Sequence, residues 1–288
     1  MANNRFGLRT RIGQMSNVIS NLAALDDDAR LFIDAVGITD TTIINAINQL
    51  VVDLKGYSIW SKCYAIYPLV NGSATSHKWN LKDARDLDAA YRLTFSGGIT
   101  HNANGAEFNG TTGYADTFLN ISSSVSGWHN DHHYAMYLRT QQPSVGNGWH
   151  IGVGNTATGD PIYGMAIRRF SSNSNDRIFD MGNVVSGSGR LSDTTTDARG
   201  FYIGTATASN SRKLYRNGSA VLTRSTTVTG TPSNGQVYIG SINPTSGSQL
   251  YLQGQMAFVS IGNGLTDTDA TNYNTAVSTF QTTLGRQV

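Results

Sequence analysis

Apolar side chains recur at helical spacing through residues 1–56 and at alternate positions over most of the remaining chain. Ile12, Met15, Val18, Ile19 and Leu22 form one stripe between polar Ser, Asn and Gln. A second helix is predicted after Asp26-Asp27-Asp28, whose negative charge suits a helix N-terminus, running through Leu31, Phe32, Ala35 and Val36 to a cap at Gly37. A third, from Thr39-Asp40 to Gly56, places Ile43, Ile44, Ile47, Leu50, Val51 and Leu54 on a wide apolar face. Helices of this kind need a partner surface, either a sheet of the same chain or copies in other subunits.

From Tyr57 the period changes. Tyr64–Val70 reads as a strand or extended connector, with Pro68 arguing against a central position. Residues 71–88 are polar and loop-like. Short strands are then expected near 90–95, 106–109, 113–118, 132–139, 148–153, 161–169, 177–182, 200–206, 212–216, 219–224, 235–241 and 249–261. Turn signals such as Ser96-Gly97-Gly98 and Ser233-Asn234-Gly235 separate them. The clearest unit is Lys213–Val221, two strands joined by Asn217-Gly218, the pair best suited to the two positive-φ positions of a type I′ turn. A last helix is predicted after Leu265, capped by Thr266-Asp267-Thr268-Asp269, with Ala270, Tyr273, Ala276, Val277 and Phe280 on one face. The expected fold is mainly β, an antiparallel jelly-roll sandwich with N-terminal helices and a C-terminal helix. Its expected parts are a helical assembly region (1–56), a connector packing on the sandwich (57–104) and the jelly roll with its closing helix (105–288).

Composition narrows the chemistry. Of 288 residues only 14% are charged and the net charge is +2, too weak a field to steer nucleic acid. Cys63 is the single cysteine, so no intrachain disulfide forms. The first residues lack the apolar core of a signal peptide, and no run of about 18 apolar residues suggests a membrane span. Of the 19 acidic residues only Glu107 is a glutamate, which excludes any mechanism that needs two glutamates within one chain.

Residues 105–265 resemble a laminin G-like, concanavalin A-type jelly roll. Glu107–Tyr114 is similar to that family's early strand and turn, Leu214–Gly218 to its central hairpin, and Leu252–Ile261 followed by Thr266-Asp267 to its closing strand. The chain as a whole also resembles virion structural proteins of tailed bacteriophages, crAss-like phages among them. That likeness rests on Leu50–Gly56, Tyr64–Pro68, Asn80–Asp83 and Phe280–Arg286. It implies a non-enzymatic, multicopy virion component, a head decoration, fibre or tail part displaying a lectin-like sandwich. The implied partners are other virion proteins, further copies of the chain and host surface glycans, without nucleic acid or membrane span. The implied location is the virion, assembled in the host cytoplasm. The alternatives are a free carbohydrate-binding module and a glycan-degrading enzyme.

These classes point to particular residues. Sugar rings stack on aromatic faces while polar groups bond their hydroxyls, so Trp128 and Trp149, near expected loop ends, are binding candidates together with His129; core packing is the alternative for the tryptophans. In Trp128-His129-Asn130-Asp131-His132-His133 imidazoles and a carboxylate crowd together, yet strand alternation sends His132 and His133 to opposite faces. The plainer reading is a solvated strand entry. No metal or other cofactor is expected; calcium, which some laminin G-like domains hold, is left open with no ligands assigned. Asp176 with Asp180, or Asp193 with Asp197, are nominal carboxylate pairs, although Asp in turn-rich sequence usually serves turns and caps. No catalytic residue is assigned. Arg5, Arg9 and Arg11 lack the aromatic interleaving of a nucleic-acid surface. Ile12, Met15, Ile19 and Leu22, with Ile43, Ile47 and Leu50, are the assembly candidates, against ordinary packing on the sandwich.

Overall fold

Capping chemistry starts the helices where the sequence places it. In the computed structural model, which describes residues 25–143, 146–154, 161–171, 174–182, 189–245 and 248–288, helix α1 spans Asp27–Val36. Its N-cap Asp26 accepts a 3.0 Å hydrogen bond from Asp28 N, and Lys55 lies 2.6 Å from both Asp26 and Asp28. Gly37, at φ 73°, closes the helix by donating to the Ile33 and Asp34 carbonyls. Helix α2 spans Thr41–Gly56 behind its N-cap Asp40, which accepts from Thr42 N at 2.7 Å. A short turn, α3, occupies Ala74–His77, and α4 runs from Asp267 to Thr283. At the start of α4 Thr266 and Asp269 form a reciprocal capping box, and Lys62 holds Asp269 at 2.5 Å. The predicted helix through Ile12–Leu22 lies outside the described residues.

Among the described residues fifteen strands, β1 to β15, form two antiparallel sheets: Cys63–Tyr67, Thr94–Ser96, Ile99–Asn102, Gly105–Asn109, Tyr114–Asn120, His132–Leu138, Ile151–Gly154, Ile162–Ser171, Ser174–Gly182, Arg190–Thr194, Gly200–Ala208, Ser211–Arg216, Ser219–Arg224, Gln236–Ile239 and Gln253–Gly262. The first sheet has the order β13-β12-β11-β6-β15-β4-β3, with β1 also paired to β15. The second has the order β10-β9-β8-β7-β14-β5-β2. The chain is therefore mainly β with two antiparallel sheets, a few helices and a closing C-terminal helix, as the sequence pattern predicts.

Several differences have physical reasons. Strands β1, β2 and β3 arise from the segment read as a connector, so 57–104 contributes to both sheets and does not merely pack on them. β1 pairs only with the C-terminal half of β15, Ile66 opposite Ser260, and Pro68 ends it. β10 is too polar to show an apolar alternation, since its pairing rests on Arg190, Ser192, Asp193 and Thr194 with Leu191 alone buried in the main core. The Asn217-Gly218 turn forms with φ 50° and 80°, and Asn217 Oδ1 accepts from Phe201 N at 2.9 Å, tying the hairpin to β11.

The central strands of the first sheet, β6, β11 and β15, are buried on both faces. Tyr134, Met136, Tyr202 and Val259 point into the core between the sheets. On the other face Ala135, Tyr137, Phe201 and Phe258 meet Ile47, Leu50, Tyr273 and Phe280 of α2 and α4. All seven residues of β6 are consequently buried.

Candidate functional site

Among the described residues the second sheet carries no helical layer, and its registers fix which side chains share its outward face. One row crosses all seven strands: Arg190, Asp180, Gly164, Gly152, Tyr238, Asp116 and Thr94. The next row, Leu191, Phe179, Met165, Ile151, Ile239, Ala115 and Phe95, faces the opposite way into the core. Strand alternation alone generates this division.

At the β14–β5 end of the outward row lies a group of half-buried tyrosines. Tyr114 and Tyr238 stack with centroids 4.6 Å apart and planes 24° from parallel. Tyr251, arriving from the segment before β15, lies 6.5 Å from Tyr114. Its hydroxyl donates to Gln249 Oε1 at 2.8 Å, while Gln249 Nε2 is buried with no partner among the described residues. Asp116, directly opposite Tyr238, accepts from Phe118 N at 2.8 Å and has no cation in ion-pair contact among the described residues. Burial raises the Asp116 carboxyl above its ordinary value. Burial, reinforced by Asp116, pushes the Tyr238 phenol up to about 12, so it stays protonated and able to donate. Rings, hydroxyls and a carboxylate thus converge on one partly exposed surface.

The other end of the row is a closed structure. Asp180 is fully buried and receives Arg190 through two bonds, at 2.8 and 2.5 Å. Gly164 lacks a side chain because Trp149 needs the space: a Cβ there would stand 2.8 Å from the Ile151 carbonyl and 3.1 Å from the Trp149 ring. Trp149 is covered by Ile242 and Leu250, forming a small cluster with Ile162, Ala166 and Ile178, and Arg169 lies 5.6 Å over its ring.

The sequence-derived candidates do not form this site. Trp128 is fully buried in the inter-sheet core, stacked on His132 at 4.9 Å. Trp149 is 1% exposed and lies on the opposite face of the second sheet from that core. Neither offers a ring to a ligand, because large aromatics satisfy the core's demand for apolar area first. His129 is half-buried, its Nδ1 2.6 Å from the Tyr163 hydroxyl and its Nε2 2.9 Å from the Val228 carbonyl, so both ring nitrogens are engaged. His132 and His133 do take opposite faces, but both are fully buried, which corrects the solvated strand entry. His132 Nδ1 bonds the Trp128 carbonyl at 2.7 Å, and His133 Nδ1 bonds the Asn263 carbonyl at 2.6 Å. Among the described residues no group of three or more His, Cys, Asp or Glu side chains is placed to hold a metal ion. Of the nominal acids, Asp193 is gripped by Arg177 and Asp197 by Arg199 and Arg216, as Asp180 is by Arg190. Ile47 and Leu50 are buried against the first sheet's helical face and Ile43 packs at its edge, so these assembly candidates serve internal packing. Ile12, Met15, Ile19, Leu22 and the arginines Arg5, Arg9 and Arg11 lie outside the described residues.

The tyrosines are absent from the sequence-derived candidates. Their signal is nevertheless in the strands: Tyr238 stands between inward Val237 and Ile239, and Tyr114 and Asp116 flank inward Ala115. An aromatic out of phase with its strand's aliphatics must face away from the core.

No protein-family model and no curated protein matches the chain. Solved structures with a similar fold include the Trypanosoma rangeli sialidase in complex with 2,3-difluorosialic acid, with TM-score 0.51 and 14% identity over 80% of this chain and 38% of that one. A mutant of the same sialidase displaying trans-sialidase activity gives 0.51 and 15%, covering 82% of this chain and 39% of its own. Domain 4 of AbnA, a GH43 extracellular arabinanase from Geobacillus stearothermophilus, in complex with arabinotriose, gives 0.49 and 15% over 74% of this chain and 98% of that domain. The chain spans about two fifths of the sialidases' length. At these identities the likenesses show the fold, and the sialidase matches stand against the expectation of a bacteriophage virion structural component, which is not carried further.

Proposed function

We propose that the chain is a carbohydrate-binding module that presents the outward face of its second sheet to a glycan. The observation that carries this reading is the half-buried cluster of Tyr114, Tyr238 and Tyr251 beside Asp116. Aromatic faces take up the apolar C–H surface of a sugar ring, and hydroxyls and carboxylate bond its edge. The cluster stands on paired strands, which hold its spacing without a ligand and reduce the ordering cost of binding.

The module acts without chemistry of its own in this reading. Support comes from the arginine clamps on Asp180, Asp193 and Asp197 and from the isolation of Glu107 on an exposed position of β4. A glycan array followed by calorimetry tests both parts. Binding that Tyr238→Ala removes, with no reducing ends released from the bound glycan, is the expected result. Binding unaffected by Tyr238→Ala and Tyr114→Ala places the ligand elsewhere and overturns the assignment; turnover overturns the non-catalytic part.

A further inference from the structure

We propose that this surface selects glycans carrying an unacetylated amine, such as glucosamine-containing oligosaccharides, over neutral ones and disfavours carboxylated ones. The inference rests on the carbohydrate-binding reading above and adds the charge class of the ligand.

The reason is a missing counter-ion. Asp116 is half-buried, and among the described residues its hydrogen bond comes from the neutral Phe118 N–H. Asp88 is the carboxylate whose charge reaches Asp116, and its own cation, Arg92, is already committed, with Asp88 at 2.8 Å and Asp86 at 3.2 Å. Lys78 is likewise spent on Asp86 at 2.7 Å. Asp86 and Asp88 thus take up Lys78 and Arg92, and Asp116 makes no ion pair among the described residues. The groups facing it on the other side are phenols: Tyr238 across the strand pair, stacked on Tyr114. They can donate to a sugar but bring no positive charge.

A ligand ammonium supplies what the fold omits. It pairs with a carboxylate that already bears the cost of burial, and charge-assisted bonds are stronger than neutral ones. An acetylated amine offers only a neutral N–H. A uronate or sialic acid carboxylate would bring like charge to a poorly solvated anion, the arrangement that interfaces use to exclude wrong partners. Stacking on the tyrosines is indifferent to these substitutions, so ring contact sets whether a glycan binds and Asp116 sets which.

Matched oligosaccharides of equal length test this: glucosamine, N-acetylglucosamine and uronate oligomers titrated by calorimetry near pH 6, where a sugar amine is charged. The expected order is amine, then acetylated, then uronate, with the amine favoured about tenfold, as one charge-assisted hydrogen bond allows. Asp116→Asn preserves the acceptor for Phe118 N–H and should collapse the amine preference while leaving the acetylated oligomer's affinity within about twofold. Tyr238→Ala should weaken all three. Rising salt should shrink the amine preference in the unaltered protein, a readout that needs no variant. Equal binding of amine and acetylated oligomers, or a preference for uronate, overturns the charge selection and leaves the carbohydrate-binding reading standing. Failure of every glycan to bind overturns both.

Discussion

A side chain's phase along its strand matters more here than its chemical type. Tryptophans are the obvious sugar-stacking candidates by composition, yet Trp128 and Trp149 are 0% and 1% exposed, and each leaves its indole nitrogen buried without a partner among the described residues. The tyrosines are out of phase with their strands' aliphatics and so reach the surface. Substitutions should separate the two roles. Trp128→Ala should cost about 3–5 kcal/mol of stability, the range for large buried aromatics, measured by denaturant unfolding. Tyr238→Ala should cost about 1 kcal/mol or less, as for a partly exposed position, yet weaken glycan binding at least about tenfold. A Trp128→Ala protein with unchanged stability would contradict its place in the core.

Whole elements were legible where their caps and periods were local. Asp26, Asp40 and Thr266 cap helices at the positions their sequence context predicts. Thr266→Ala removes the hydroxyl half of the capping box at α4, leaving the backbone N–H of position 266 on Asp269, and should lower stability by about 1 kcal/mol in thermal unfolding. What the apolar stripe of α2 meets was not legible, because a stripe specifies a buried face and not its partner. Ile47 and Leu50 turn out to face the first sheet and α4. Leu50→Ala is therefore expected to destabilise the isolated chain by about 2–5 kcal/mol in denaturant unfolding at low protein concentration. A change confined to oligomeric state would restore an assembly role. β10 and β3 were not legible for the converse reason: short polar edge strands rely on partners distant in sequence and leave little periodic signal.

At the scale of the molecule, the packed interior encloses imidazoles as well as apolar groups. Burial lowers His77, His132 and His150 to about 3 and His133 to about 4. Their folded values lie below the unfolded value near 6.5, so the stability they permit is complete above about pH 6.5 and is lost as pH falls toward the folded values. In that window each such imidazole adds a slope of up to about 1.4 kcal/mol per pH unit. The melting temperature should hold steady from about pH 8 to 7 and fall steeply from about pH 6 to 4.5, and His132→Gln should flatten that fall. A melting temperature flat down to about pH 4.5 would show that these rings are reached by solvent protons in the folded state.

Local order came from the sequence by itself: helix starts, the Asn217-Gly218 turn, most strands, the mainly β class and the lack of a second glutamate. These follow from spacings of a few residues, where backbone geometry and capping act directly. Only the tertiary structure decided which aromatic rings are covered, where α2 packs, which arginines occupy the acids and which carboxylate is left without a cation. Those outcomes depend on strand order and register between residues far apart in the chain. A row from Arg190 to Thr94 exists only once seven strands are in place, and Tyr238 meets Tyr114 and Asp116 only there.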